Sequence, residues 1–221
     1  MRQNKFLIFG FVFIFGLLSL IIVDVLNIDL LISISIHQEY GWEKGSEFFW
    51  QFLYNWGPIP SLIGTVVCLI LIILIKLKVI KLKLPIPYLM FPFLTLIAGP
   101  GIFVNLIGKE MWGRPRPVNC IELGGTKKFQ SVLEINPKEK DKSFPSGHAA
   151  SGFHLCTMAL LFKGKWKLLS ICLFSTWGLS VSLGRILQGG HFLSDVIGSL
   201  FIVTLVAVVF YPPVSRKQTL S

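Results

Sequence analysis

Six apolar runs divide the chain, at 6–23, 59–75, 88–107, 149–162, 168–183 and 196–210. Each approaches the ~20 residues that a helix needs to cross a bilayer once its flanks are counted. Only 14% of the 221 residues are charged and 53% are hydrophobic, whereas soluble domains carry roughly a quarter charged. The expected fold is therefore all-α, a polytopic membrane bundle of six transmembrane helices forming a single domain over 1–221. The fourth and fifth runs reach spanning length only by drawing on polar flanks, so they should tilt or pack inside the bundle. Arg2 and Lys5 ahead of the first run also suit a secretory signal. The residues after it, Asp24, Val25, Leu26 and Asn27, lack a small-x-small cleavage site, so the run is expected to stay as an anchor.

Charge orients the bundle. Arg2 and Lys5, then Lys76, Lys78, Lys81 and Lys83, then Lys163, Lys165 and Lys167, then Arg216 and Lys217 fall on one side of a six-span chain, with no Asp or Glu among them. Short Lys-rich connections mark the cytoplasmic side, so both termini should be cytoplasmic. The opposite side holds the remaining ten Lys and Arg and all eleven acids. The net charge of +10 thus sits at span ends, where lysines meet anionic lipid, and forms no contiguous face for nucleic acid. Cys68, Cys156 and Cys172 lie inside the expected spans and Cys120 stands alone, so neither a disulfide framework nor a zinc spacing is present.

Residues 39–60 place Tyr40, Trp42, Phe48, Phe49, Trp50, Phe52, Tyr54 and Trp56 among Glu43, Lys44 and Glu47. Such a segment is too polar to cross and too aromatic to remain in water, and reads as an interfacial helix in the first outer loop. The third connection, 108–144, is the only long hydrophilic stretch, and loops of that length usually carry function.

Three clusters of ionisable residues share the outer side of this topology. Groups of that kind beside apolar spans point to a functional site. Lys109 and Arg116 are seven residues apart, and Pro115 and Pro117 rule out a continuous helix through Arg116. An Arg held between prolines presents its guanidinium fork with little backbone freedom left to lose, which suits bidentate capture of phosphate oxygens. Arg114 can be either a substrate contact or an ordinary cation snorkelling at a span end. In Pro145-Ser146-Gly147-His148, a helix start offers free amides to an anion. Ser146 adds a hydroxyl and Gly147 an open backbone amide, and His148 can protonate a leaving oxygen. Arg185, His191 and Asp195 form the third cluster. A helix beginning near Gly190 would put His191 and Asp195 on one face, where the carboxylate takes one ring proton and leaves the other nitrogen as a nucleophile. His37 and His154 have no such companions and read as structural. No clustered carboxylates or His-x-x-x-His suggest a metal.

K-x6-RP at 109–117, PSGH at 145–148 and R-x5-H-x3-D at 185–195 together resemble the three-part signature of the type 2 phosphatidic acid phosphatase superfamily, whose membrane members have six helices. The resemblance implies a metal- and cofactor-independent phosphohistidine mechanism. His191 would attack phosphorus, Asp195 would hold its ring, and His148 would protonate the leaving lipid oxygen. Lys109, Arg116 and Arg185, with Ser146 and the Gly147 amide, would bind the phosphate oxygens. Gly184 stands where the family commonly has Ser before its third-motif arginine, which removes one hydroxyl donor. IAGPGIFVN followed by KEMWGRPRPV also resembles the bacterial lipid A 4′-phosphatase branch, which implies a phosphorylated membrane lipid as partner, the bacterial inner membrane as location and a periplasmic site. Undecaprenyl diphosphate and phosphatidylglycerophosphate phosphatases share the three motifs. A carrier that uses the same cations only to bind a lipid phosphate would show the same clusters, and turnover separates the two.

Overall fold

Asn27 turns the chain out of its first long helix. In the computed structural model α1 (Arg2–Val25) gives way to α2 (Ile28–Tyr40) through Asn27 at φ 50°, ψ 32°, a left-handed conformation that Asn tolerates better than most residues. The structure describes residues 2–82 and 84–212, with the backbone alone for residues 2 and 3. Lys83, Arg216, Lys217 and the side chain of Arg2, all counted above on the Lys-rich side, lie outside the described residues.

A 3₁₀ turn, Glu43–Ser46, leads to α3 (Phe48–Trp56) and, past Gly57 and Pro58, to α4 (Ile59–Lys76). The aromatic segment therefore begins a long apolar stretch, Phe48–Lys76, instead of standing apart from it. Its Leu53 is buried while Phe48, Phe49, Phe52 and Trp56 face outward. Next, α5 (Ile86–Leu96) runs into Gly99-Pro100-Gly101. Pro100 has no N–H for the carbonyl four residues back, and the helix widens into a π-helical stretch, Ile97–Gly108, a feature frequent at functional sites. Asn105 Nδ2 donates to the Pro100 carbonyl at 2.7 Å. A last turn, α6 (Lys109–Trp112), stops at Gly113 in the left-handed region, φ 57°.

The long connection that follows contains 3₁₀ turns at Pro117–Asn119 and Ile121–Leu123 and is tied to itself by Lys127, which pairs with Glu139 and Asp141. Then come α7 (Gly147–His154) with its 3₁₀ continuation Leu155–Leu161, α8 (Gly164–Leu187) and α9 (Leu193–Phe210). Among the described residues the fold is helical and without strands. Five helical stretches among the described residues are long and apolar enough to cross a membrane: Asn4–Val25, Phe48–Lys76, Ile86–Asn119, Gly164–Leu187 and Leu193–Phe210. The fourth apolar run of the sequence is the shorter Gly147–Leu161, and it occupies the centre.

That short helix touches α4, α5, the π-helical stretch, α8 and α9. Its Ala149, Ala150 and Phe153 form one core with Val104, Ile186, Val196 and Val203. Small residues bring it against α8: a Cβ on Gly152 would lie 3.0 Å from the Gly178 Cα. Such close backbone approach is how helices associate where lipid offers no hydrophobic drive. His154 is fully buried and satisfied in this centre. Its Nε2 donates to the Pro92 carbonyl at 2.9 Å, which leaves Nδ1 to accept from the Ser61 hydroxyl at 2.5 Å.

Candidate functional site

The start of α7 is built on the start of α9. Ser146 caps α7 by accepting from the Ala149 N–H at 3.4 Å, and its own N–H donates to the Asp195 carbonyl at 3.2 Å. Ser199 Oγ donates to the carbonyls of both Ser146 (2.8 Å) and Asp195 (2.7 Å). Ser146 itself is fully buried, and because its oxygen accepts at the cap, its hydroxyl proton stays free to donate. Gly147 leaves room for what lies over it: an added Cβ would stand 2.8 Å from Asn105 Oδ1 and 3.1 Å from Lys109 Nζ and would displace both side-chain ends. The Lys109 ammonium thus sits directly above the first turn of α7.

The next residue, His148, is half-buried, and its ring stacks on Tyr54 of α3 with centroids 4.9 Å apart and planes at 14°. The same Tyr54 carries the Arg185 guanidinium 4.7 Å from its centroid. Gln188 orients that guanidinium by accepting from it, while Gln188 Nε2 donates to the carbonyls of Gly45 (3.0 Å) and Trp50 (3.3 Å). Gly190 keeps clear of the Arg185 fork, which a Cβ there would push aside. A Cβ added at Gly184 would lie 3.2 Å from the Trp50 ring, so a serine at this position would crowd the indole.

The helix expected near Gly190 begins two residues beyond His191, at Leu193. Gly189 at φ 61° makes the turn, so His191 precedes α9 while Asp195 lies in its first turn, and the two do not share a helical face. They are neighbours all the same. His191 Nδ1 is 3.5 Å from Asp195 Oδ2, an ion-pair distance longer than a hydrogen bond. Nδ1 has no other partner, although the ring is only 2% exposed. Asp195 Oδ2 is already engaged, accepting from Ser143 Oγ at 2.5 Å and from the Phe192 N–H at 2.8 Å.

Arg116 joins through its backbone. The Val118 N–H donates to the Gly189 carbonyl at 3.0 Å, which fastens the Pro-Arg-Pro segment to the turn that carries His191. Asp141 Oδ2 accepts from the Arg116 N–H at 3.4 Å and from Asn119 Nδ2 at 2.7 Å. Arg116 and Arg185 both bear electrostatically on Lys109, and Lys109 and Arg185 bear on both imidazoles. Among the described residues none of these three cations has a carboxylate within ion-pair distance, although Lys44, Arg114, Lys127 and Lys142 all do. Burial draws the His148 imidazole down to about 4, with Arg185, His191 and Lys109 adding to the fall. Burial also holds His191 below its ordinary value, with Asp195 pulling the other way. Unpaired cations around two neutral imidazoles make a site short of negative charge, one that an anion such as a phosphate dianion would balance.

Residues 88–218 match the PAP2 superfamily. The chain belongs to the PAP2 superfamily. It is also 39% identical over 127 residues to a lipid A 4′-phosphatase of Francisella tularensis subsp. novicida, a match covering 57% of each protein. It is 35% identical over 105 residues to a lipid A 4′-phosphatase of Rhizobium leguminosarum, covering 47% of this chain and 45% of that one. An undecaprenyl-diphosphatase of Bacillus subtilis is 26% identical over 127 residues, covering 56% of each. The chain spans about half the length of the curated relatives it matches. No solved structure matches it.

Within this PAP2 protein Arg114 takes neither course expected of it. It neither snorkels nor faces the cation cluster, but is buried at 0% exposure. It donates from NH1 to Asp195 Oδ1 (2.7 Å) and Ser194 Oγ (2.7 Å), from NH2 to Asp29 Oδ2 (2.8 Å), and from Nε to the Gln130 carbonyl (2.9 Å). Asp29, Ser143, Ser194, Tyr54, Gln188 and Asn105 join the site without having been singled out in the sequence. One signal was available for Asp29: a lone acid between Ile28 and Leu30 is expensive beside lipid unless something pairs with it.

Proposed function

We propose that this protein is a lipid phosphate phosphatase that works through a phosphohistidine and, given the names of its relatives from Francisella and Rhizobium, that its substrate is lipid A carrying a 4′-phosphate. The observation that carries the reading is that two unpaired cations, Lys109 and Arg185, bear on both His148 and His191, while a third, Arg116, bears on those two cations. His191 Nε2 attacks phosphorus in line as the ester P–O bond breaks, and His148 delivers a proton to the departing lipid oxygen. Lys109, Arg116, Arg185, the Ser146 hydroxyl and the Gly147 amide take the three equatorial oxygens, so that positioning and charge supply most of the rate. Asp195 steadies the imidazolium side of the nucleophile. Water then attacks phosphorus, giving up a proton to His148, and the P–Nε2 bond breaks to return His191 and release phosphate.

The chain lies in a bacterial inner membrane with both termini cytoplasmic, supported by the Lys-rich connections. The site opens on the periplasmic side, with the exposed aromatics of α3 at headgroup level and 149–161 crossing as a sixth, inner helix. A phosphate held there is reached by a lipid headgroup whose tails remain in the bilayer.

Detergent-solubilised protein given 4′-phosphorylated lipid A in EDTA should release phosphate, and vanadate should stop it. Undecaprenyl diphosphate and phosphatidylglycerophosphate in parallel define the preference. Binding without release on all three would make the protein a carrier.

Charge sets a second expectation. Burial and the neighbouring cations hold His148 down to about 4, so that it is neutral at pH 6. A bound phosphate dianion offsets Lys109 and Arg185 and raises the imidazole's affinity for a proton. Binding of vanadate or inorganic phosphate at pH 6 should therefore place a sizeable fraction of a proton on His148, offset by the proton the anion itself loses on becoming a dianion. The net count is read by calorimetry in buffers of different ionisation enthalpy as the difference between wild type and His148→Ala. Wild type should take up more protons, or release fewer, than the variant; equal counts in the two would remove His148 from the acid role.

A further inference from the structure

Asp29 lies in the first turn of α2, outside residues 88–218 that match the family, yet it reaches the centre of the site. It is 2% exposed, and all of its contacts lead to Asp195. Oδ2 accepts from Arg114 NH2 at 2.8 Å and from the Ser194 hydroxyl, and Oδ1 accepts from the Ser194 N–H at 2.9 Å. Arg114 bridges onward to Asp195 Oδ1 at 2.7 Å, and Asp195 Oδ2 faces His191 Nδ1 at 3.5 Å. Phe192 and Phe129 cover the guanidinium, with its carbon 4.4 Å and 5.7 Å from their centroids, so water does not screen the chain of charges.

A buried Arg114 paired with Asp195 alone would cancel the carboxylate that His191 depends on. Asp29 changes the sum: one cation shared between two carboxylates leaves a net charge of −1 against the imidazole. We propose that Asp29 is a positioning residue for the proposed phosphotransfer, keeping Arg114 locked on Asp195 while returning to the cluster the negative charge that supports His191 as a nucleophile. This rests on the phosphohistidine reading. It assigns a task in the chemistry to the α1–α2 corner, which holds none of the three sequence motifs.

The ring of His191 is faced by Asp195 from α9, Arg185 from α8, Lys109 from α6 and His148 from α7, with Arg114 and Asp29 behind Asp195. Loss of the Asp29 charge makes this surrounding more positive, which disfavours the imidazolium. The acidic limb of the kcat profile, where His191 must lose its proton, should therefore move to lower pH. At the same time the less basic imidazole should attack more slowly.

In full-length Asp29→Asn, kcat on the phosphorylated lipid is expected to fall by about tenfold or more with KM little changed, and the acidic limb to move down by about half a pH unit or more. Asp29→Glu, which keeps the charge, should retain the wild-type limb. Asp24→Asn, an acid at the same corner that accepts from Ser131 instead, should leave both unchanged. If the amide variant does not accumulate folded, Asp29→Ser reads the same shift. A neutral variant with wild-type kcat and limb would overturn the proposal, as would a glutamate variant displaced as far as the neutral one. Turnover retained in His191→Ala would defeat the phosphohistidine reading itself, whatever Asp29 does.

Discussion

Replacing His191 by alanine is expected to abolish phosphate release, lowering turnover on the order of 10⁴-fold or more. The magnitude follows from the geometry. His191 is at the bottom of the cation cluster at 2% exposure, with Asp195 beside Nδ1, so that Nε2 is the free ring nitrogen. The neighbouring imidazole, His148, is stacked flat on Tyr54 and is proposed to protonate the leaving oxygen. His148→Ala should be less severe, about 10²–10⁴-fold, and the two variants should differ in kind. A substrate with an acidic leaving group, such as an aryl phosphate, needs no proton delivered to its oxygen and should recover much of the rate in His148→Ala. It should recover none in His191→Ala, because the missing group there is the one that bonds to phosphorus. Initial rates per mole of monodisperse protein make the comparison. Wild-type turnover in His191→Ala would refute the nucleophile assignment, and recovery of both variants by the aryl ester would merge two roles held to be separate.

The parts of this site that were legible in the sequence are those whose chemistry is local. Pro115 and Pro117 on either side of Arg116 and a Ser-Gly pair at a helix start are read from local spacing. The pairing of His191 with Asp195 on one helix face is not: the Gly189 turn makes them neighbours instead. What stayed hidden depends on partners far along the chain. Arg114 stands two positions from Arg116 and shares a proline neighbour with it, and only the fold leaves the side chain of one without a carboxylate partner among the described residues and sends the other into a buried ion-pair chain. Residues 31–36, LISISI, alternate with a period of two and conceal the helical character of α2. That helix is specified by Asp29 and Ser33 buried on its inner face and by its packing on α9 and the 121–123 turn. Tyr54 looked like one more interfacial aromatic, since nothing in its neighbours marks it as the plate on which both His148 and Arg185 rest. The inner helix was harder still. The run 149–162 is apolar enough to suggest a span, but its small residues answer to Gly178 across the interface, a pairing that requires two helices to be seen together.

Removing the Arg114 charge should be the most damaging single change to the fold. Its guanidinium is fully buried between Asp29 and Asp195 and makes hydrogen bonds with both, with Ser194 and with the Gln130 carbonyl. Deleting one partner of a buried ion pair leaves a charge that neither water nor protein balances, a loss of about 3–5 kcal/mol, and here two carboxylates are stranded facing one another. Arg114→Gln is therefore expected to lower thermal stability in detergent steeply and to reduce the amount of folded protein. Asp29→Asn added to it should restore part of that stability. The double variant has one buried carboxylate left, Asp195, which still accepts from Ser143 Oγ and the Phe192 N–H, and the glutamine amide can donate where Arg114 did. The two substitutions should be non-additive by about 1–3 kcal/mol, as expected for residues in one network. An Arg114→Gln protein as stable as wild type would show that the cluster contributes little to folding. Additive losses would show that Asp29 and Arg114 act on stability independently, and that the stability of the buried chain does not depend on its charge balance.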